Sequence, residues 1–327
     1  YATGAADFDF RFNLTDLALI SEQASGALAA EGRAAGGDGL INLTTSVRVP
    51  SGRLADKQLR DAAIAFDGTL EEGNLDGTLG GSAFLDGVRV DLSTGIALVD
   101  EERRLTDLTF TAGGARLTGG IVQGADSLLT GSLDLDAADI STLAALALQE
   151  ASGAVRASVE LTPVDAEQRA TIDGSIDGFQ LGETTIERAQ IEAAIDDLFG
   201  IPRIDGSVDA AGIAAGGVDV ETLRANANRQ GDATEFSADA RLDNATTAAV
   251  AGTLTPEGEG FRLELTQADL AQGNLAARLR QAASLSIIAD VITIDRLALD
   301  VGGGSIDATG RIADQIDLNA TIAALPL

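Results

Sequence analysis

Cysteine, histidine, methionine and tryptophan are all absent from this chain of 327 residues. Without cysteine there is neither a disulfide nor a thiolate nucleophile. Without histidine the commonest general base and the commonest metal ligand are missing. Aromatic residues make up 3% of the chain, too few for a large aromatic core or a base-stacking platform. Lysine occurs once, at Lys57, and 22 basic residues face 51 acidic ones, for a net charge of −29. The clustered cations that hold a nucleic-acid backbone are therefore lacking, and anionic membrane surfaces repel such a chain. No run of 18 apolar residues exists, so no segment is expected to cross a bilayer as a helix, and no signal-peptide pattern is read in these residues. The chain opens on Tyr1 and has no methionine, and it reads as an internal or processed piece of something longer.

What is present is alternation. In Ile294–Ile312, Leu297, Leu299 and Val301 occupy alternate positions, three glycines follow, and Ile306, Ala308, Gly310 and Ile312 alternate with Asp307, Thr309 and Arg311. Period-two patterning predicts a strand with one apolar and one polar face. A glycine-rich joint between two such strands predicts a hairpin. The same unit recurs with drift. Phe8, Phe10, Phe12 and Leu14 alternate with Asp9, Arg11 and Asn13; Leu133 and Leu135 alternate with Ser132, Asp134 and Asp136; Phe261, Leu263 and Leu265 alternate with Arg262 and Glu264.

A second pattern is superimposed. Apolar residues spaced three, two and two occur at Leu59-Ala62-Ile64-Phe66, Leu105-Leu108-Phe110-Ala112, Ile186-Ala189-Ile191-Ala193, Val220-Leu223-Ala225-Ala227 and Ile294-Leu297-Leu299-Val301. The starts are irregularly spaced, which disfavours a solenoid of fixed rung length. The three-residue step predicts a turn or bulge after the first apolar residue that resets the face. Two stretches break the strand rhythm and read as short helices: Asp139–Ala151, with Asp139 or Ser141 as N-cap, and Leu270–Ala283, with Leu275 and Leu279 on one helical face. The five prolines read as strand ends.

Motifs with chemical potential are weak. The acidic pairs Glu71-Glu72, Glu101-Glu102 and Asp196-Asp197 read as solvated turns rather than glycosidase carboxylates. Gly36-Gly37-Asp38-Gly39 is a single turn, not a calcium-binding array. Gly302-Gly303-Gly304 lacks the Lys-Ser/Thr and the helix of a phosphate-binding loop. Ser51 and Lys57 are six residues apart by coincidence. No catalytic, cofactor-binding or metal-binding residue emerges, and the reading is of a protein that is not an enzyme.

The remaining signal is distributed. At least a dozen strands each offer three to five apolar side chains on one face. About 50 such side chains at roughly 60 Å² each amount to about 3,000 Å² of apolar surface, far above the few hundred Å² that soluble proteins leave exposed. Three covers are open: a second sheet packed as a sandwich, a sheet curled to line a trough with its own apolar face, or a guest that fills the trough. Candidate lining residues are Phe10, Phe12, Ile64, Phe66, Leu108, Phe110, Leu133, Leu135, Ile191, Leu263, Leu265, Leu297, Leu299 and Val301.

Four stretches carry a resemblance: LLTGSLDLDAADISTLAAL (Leu128–Leu146), IERAQIEAAI (Ile186–Ile195), GGGSIDATGRI (Gly302–Ile312) and IDLNATIAALPL (Ile316–Leu327). In style these resemble the repeats of the TamB/AsmA-like family, the inner-membrane part of the translocation and assembly module and its relatives. The resemblance implies an all-β fold, a long curled and mostly antiparallel sheet (a β-taco) with an apolar inner face and one or two short helices. It implies that residues 1–327 are one continuous repetitive β-groove segment of a longer envelope protein in the periplasm of a diderm bacterium, anchored in the inner membrane through a segment outside this chain. The implied role is phospholipid transport toward the outer membrane, with acyl chains in the groove and no cofactor. Implied partners are an Omp85-type outer-membrane protein and nascent outer-membrane proteins. Two alternatives stand beside it: a scaffold for assembling outer-membrane proteins, and a β-rich adhesin or passenger domain.

Overall fold

A computed structural model describes residues 5–54, 57–258, 260–288, 291–313 and 315–324. The closing Leu325-Pro326-Leu327 triplet, part of the family resemblance, lies outside the described residues. The fold is all-β: 23 strands form one long antiparallel sheet, 78% of the chain is strand, and there is one short α-helix.

The chain divides into two compact units. The first runs to Ala166 and includes Ile176–Gly182. It holds β1 (Ala6–Leu14), β2 (Ala24–Gly26), β3 (Leu28–Gly37), β4 (Leu40–Leu54), β5 (Lys57–Glu71), β6 (Asn74–Leu85), β7 (Val88–Val99), β8 (Glu102–Ala112), β9 (Ala115–Gln123), β10 (Leu129–Ala137), helix α1 (Ser141–Leu146) and β11 (Ala151–Val164). Strand β12 (Glu167–Leu181) contributes Glu167–Ser175 to the second unit and its remainder to the first. The second unit continues from Glu183 with β13 (Thr184–Asp196), β14 (Arg203–Ala215), β15 (Val218–Gln230), β16 (Ala233–Leu242), β17 (Thr247–Glu257), β18 (Gly260–Gln272), β19 (Leu275–Leu279), β20 (Ala283–Ile288), β21 (Val291–Val301), β22 (Gly304–Ile312) and β23 (Ile316–Ala323).

Pairing in the first unit is sequential, except that β1 pairs with β3 and the three-residue β2 pairs with the end of β4. In the second unit β18 pairs with both β19 and β20, and both of these pair with β21, so two short strands fill one strand's place. Tight turns make this topology cheap in chain length. Asp38-Gly39 and Gly302-Gly303 each put two successive residues at positive φ (55° and 89°, 56° and 92°), the geometry whose twist matches that of the flanking strands.

The three-two-two spacing marks bulges. Register shifts fall between Arg60 and Ala63, Leu105 and Leu108, Val220 and Thr222, and Ile294 and Leu297, at four of the five predicted places. At the fifth, Ile186 and Arg188 face Ile213 and Ala211 without a shift. In the first two bulges an aspartate takes left-handed backbone, Asp61 at φ 50° and Asp107 at φ 51°. The extra residue lets Leu59 and Leu105 rejoin the face that Ala62 and Leu108 continue.

Three expectations need correction. Leu270–Ala283 is not a helix. Gly273, at φ 57°, turns β18 back into β19, and Gln272 pairs with Leu275. Leu275 and Leu279 are four apart, a spacing that fits a strand as well as a helix, and strands on both sides supply partners. Pro50 is not at a strand end but inside β4, opposite the Asp61 bulge, where Val49 pairs with Ala62 and Ser51 with Arg60. A missing N–H is tolerated at such an irregularity. The helix expected over Asp139–Ala151 is present but shorter. Asp139 Oδ1 accepts from Ser141 N at 2.9 Å, helix α1 ends at Leu146, and Leu148 at φ 59° swings the chain toward β11.

The first unit has a small core: Val49, Leu59, Leu85, Val90, Ala112 and Ala145, with Leu17, Leu28, Phe110 and Leu146 packed around it. Ala145 comes from α1, so the helix covers one end of the apolar face at β4–β8.

Candidate functional site

Strand pairing converts the alternating sequence pattern into rows of apolar side chains running across the strands, because directly paired residues share a face. One row in the first unit passes through ten strands: Phe12, Ala30, Val47, Ile64, Gly81, Leu92, Phe110, Leu117, Leu135 and Ala157. The neighbouring row contains Phe10, Gly32, Thr45, Phe66, Leu79, and beyond the bulge Leu108, Gly119, Leu133 and Val159. All eight candidate lining residues of this unit thus fall into two adjacent rows on one face.

The second unit has a matching face. One row runs Ala189, Ala210, Leu223, Ala240, Ala248, Leu270, Ala277 and Val301. Ile191 heads the next, through Val208, Ala225, Ala238, Val250 and Ala268. Leu263 pairs with Leu285, Leu265 with Ala283, Leu297 with Ala308, and Leu299 with Leu279 and Ile306. A hollow of about 450 Å³ lies on this face between Leu223, Ala240, Val250, Leu270 and Leu299. That volume is within the usual range for a bound small molecule.

Burial bears on the first of the three covers left open by the sequence, a face packed shut. None of the fourteen candidates is buried. Phe10, Phe12 and Ile64 are exposed at 36%, 55% and 47%, and the other eleven are half-buried. The buried apolar side chains among the described residues are mostly alanines, such as Ala112, Ala115, Ala137, Ala283 and Ala298. A self-filled interior would bury the largest side chains first. The first unit does enclose a small core at Val49, Leu59, Leu85 and Val90, but the fourteen large candidates stand half-open or exposed, so neither unit packs its whole apolar face shut.

Aromatic rings stand over glycines on this face. The Phe10 ring covers Gly32, and the Phe66 ring covers the paired glycines Gly68 and Gly77. Phe8 stacks on Phe10 at 6.4 Å between ring centroids. Rings over glycines smooth the surface instead of leaving pits and knobs.

The opposite face is ionic. Arg33 reaches Asp7 at 2.8 Å, Arg48 reaches Glu31 at 2.9 Å, Arg224 reaches Asp209 at 3.1 Å and Arg241 reaches Glu221 at 3.0 Å, all across neighbouring strands and exposed. Such pairs contribute about 0–1 kcal/mol each and mainly fix register. Shallow hollows of about 840 and 890 Å³ occur among the charged side chains, one around Asp209 and Arg224, the other around Arg11, Glu31 and Arg33.

The acidic pair Asp196-Asp197 is not a solvated turn, as its sequence predicts. Asp196 is 8% exposed and pairs with both Arg169 and Arg229, while Glu167 pairs with Arg203. Asp197 Oδ2 accepts from Ile201 N at 2.9 Å. Nothing in the sequence brings Arg169 and Arg229 to Asp196; strand pairing does. The other glycine and acidic motifs stay in turns: Asp38-Gly39, Glu72-Gly73 and Gly302-Gly303 each join two strands, and β22, not a helix, follows Gly304. Lys57 lies 3.8 Å from Asp86. Among the described residues no cluster of three acidic side chains could hold a metal ion, and no helix is long and apolar enough to cross a membrane.

Several row members were not among the sequence candidates, including Val47, Leu92, Leu117, Leu223 and Ile306. Each sits in an alternating run, so the signal was present but undistinguished from its neighbours. The sequence matches no known family model, and no curated protein or solved structure matches it beyond chance.

Proposed function

We propose that this chain is a non-enzymatic lipid-carrying segment of a TamB/AsmA-like envelope protein. Its apolar sheet face takes phospholipid acyl chains on their way between the inner and outer membranes and so contributes to outer-membrane biogenesis. The supporting observation is that apolar side chains are aligned in rows across the strands, with Thr45 and several glycines among them, yet none of the fourteen large candidates is buried. Ten strands at about 4.8 Å spacing make a row roughly 40 Å long. An acyl chain reaches about half of a bilayer's roughly 30 Å hydrocarbon core, or about 15 Å. Such a row therefore exceeds one tail, which fits passage along a track better than a single-ligand pocket. Each methylene taken from water contributes about 0.8 kcal/mol, so no cationic headgroup site is needed to hold a tail. The sequence carries no phosphate-binding loop motif, and in this reading movement is driven from outside the chain.

The test is native mass spectrometry and lipid extraction of the purified chain. Phospholipid that co-purifies in defined stoichiometry supports the reading; a chain that neither carries lipid nor takes up tail-labelled phospholipid from vesicles counts against it. Leu299→Asp or Phe110→Asp should block uptake far more than Asp307→Asn on the opposite face, and equal effects would defeat the proposal.

A scaffold for nascent outer-membrane proteins is the second reading. All eight residues of β23 are exposed, Ile316 at 72% and Ile322 at 61%, and β23 pairs only with β22 among the described strands. A sheet edge left unpaired in the whole protein can receive a client strand. Site-specific crosslinks from β23 to client strands, without lipid on the apolar face, would favour it.

A further inference from the structure

We propose that residues 138–150, with α1 at their centre, are a strap on the apolar face of the first unit that opens to admit an acyl tail to a third apolar row; the gating role rests on the lipid reading above. The economy of the sheet singles the segment out. Neighbouring strands of this unit are joined by two-residue turns such as Glu72-Gly73, Asp86-Gly87 and Gly113-Gly114. β10 and β11 are antiparallel neighbours of the same kind, with Ala137 opposite Val155, yet the chain between them runs from Ala138 to Glu150. A connection of that length between paired strands is uncommon and usually functional.

The segment lies back over the sheet. Thr142 reaches the turn between β8 and β9, where a Cβ placed on Gly113 would stand 2.6 Å from Thr142 Oγ1. Thr142 and Ala145 are the residues that α1 buries, and Ala145 joins the core cluster of Val49, Leu59, Leu85, Val90 and Ala112. A third apolar row passes through that cluster: Ala83, Val90, Ala112, Ala115, Ala137 and Val155. Each member is two residues along its strand from the row through Leu92, Phe110, Leu117 and Leu135, so the rows share a face. The middle of the third row is shut, with Val90 at 6% and Ala112 at 0% exposed, while the two rows beside it stand open.

The strap is lightly held. α1 has six residues, well below the about 12–15 at which a helix is stable alone, so packing keeps it helical. It buries a threonine and an alanine, and leaves Leu143 and Leu146 half-buried. Its bonds from Ser141 N to Asp139 Oδ1 and from Gln149 N to Ala144 O are internal and move with it. Among the described residues its backbone is tied to a strand at Ile140 N, which donates to Gly153 O at 2.9 Å, beside the end that stays joined to β11. Few buried contacts and few bonds to the sheet are the marks of a segment that opens locally.

Because the chain has no cysteine, single thiols report the movement in the full 327-residue protein. Val90→Cys lies in the cluster that the strap covers; Leu161→Cys, at a position 8% exposed on β11, lies outside it. The Val90→Cys thiol should react with a maleimide at least tenfold faster than the Leu161→Cys thiol, at a rate that dilute urea barely changes, as local opening requires. Equal rates with the same urea dependence would show α1 fixed in place and overturn the proposal.

A staple tests the gating. The Cβ placed on Gly113 stands 3.1 Å from Thr142 Cβ, close to the about 3.5–4.5 Å of a disulfide. Oxidised Gly113→Cys/Thr142→Cys should take up tail-labelled phospholipid from vesicles at least threefold less than the same variant reduced. Gly113→Ser/Thr142→Ser carries the same strain at φ 57° without the link and should respond to neither reagent. Uptake unchanged by oxidation overturns the strap and leaves the lipid reading standing. A variant that takes up lipid in neither state, like the parent chain, defeats the lipid reading instead, and the thiol rates alone then decide whether the strap moves.

Discussion

The ring of Phe66 rests on Gly77, two strand residues that share a face: a Cβ placed on Gly77 would stand 2.8 Å from Phe66 Cζ. It would also stand 2.6 Å from the Asp67 carbonyl and 2.7 Å from Gly68 Cα, neither of which can swing aside. Gly77→Ala should therefore destabilise the first unit by about 1–3 kcal/mol, the usual cost of overpacking. Gly80, three residues along the same strand, has only the Leu92 carbonyl at 4.0 Å in its path. Gly80→Ala should be neutral or add about 0.4–1 kcal/mol by restricting the unfolded chain. Urea unfolding of the two variants reads the contrast directly.

A charge on the apolar face should act differently from a charge lost on the ionic face, even between adjacent residues. Leu135 is in the ten-strand row, and Asp134 beside it is exposed on the other side. Leu135→Asp should abolish uptake of tail-labelled phospholipid, while Asp134→Asn leaves it within about twofold of the parent. Both should retain the β-sheet circular dichroism, since surface substitutions usually shift stability by no more than about 0.5 kcal/mol.

The Asp196 cluster should be the most sensitive ionic site. Asp196→Ala leaves Arg169 and Arg229 without their shared carboxylate. Breaking a fully buried pair costs about 3–5 kcal/mol; here both guanidinium groups reach solvent, so about 1–3 kcal/mol is expected. Asp209→Ala, which breaks the exposed contact to Arg224, should change the unfolding midpoint little.

Acid should loosen the start of the chain before the rest. Asp16 Oδ1 accepts from Ala18 N at 3.1 Å and from Gly26 N at 3.0 Å, tying the 3-10 turn at Leu17–Leu19 to β2. The Ala18 and Gly26 amides hold its carboxyl below the ordinary value of 3.8. A carboxyl depressed in the folded state adds stability above its unfolded value and loses it as pH falls through the folded one. Protection of the Gly26 amide from hydrogen exchange should therefore hold at neutral pH and fall below about pH 4. Asp16→Asn should remove that pH dependence.

Much of the fold is legible in the order of residues. Alternation at Phe8–Leu14, Leu133–Ala137 and Leu297–Ile312 specifies strands, because side chains on extended backbone point to opposite faces in turn. The three-residue steps at Leu59, Leu105, Val220 and Ile294 announce bulges, since only an extra residue keeps both halves of such a run on one face. The fourteen candidate residues follow from the same pattern. What the pattern could not separate was Leu275 and Leu279, whose four-residue spacing satisfies two periodicities at once.

The sequence by itself determined that this protein is a succession of two-faced strands joined by tight turns, because periodicity and turn chemistry are local. Only tertiary structure decided which strand lies beside which. Phe12 thereby stands in line with Ala157, a relation set by nine successive registers and carried by no single stretch of chain. It also decided that Asp196 is enclosed by Arg169 and Arg229, and that Leu59 and Leu85 are buried while the fourteen candidate side chains stay half-open or exposed. Burial depends on what packs over a face, and that is a property of neighbours distant along the chain.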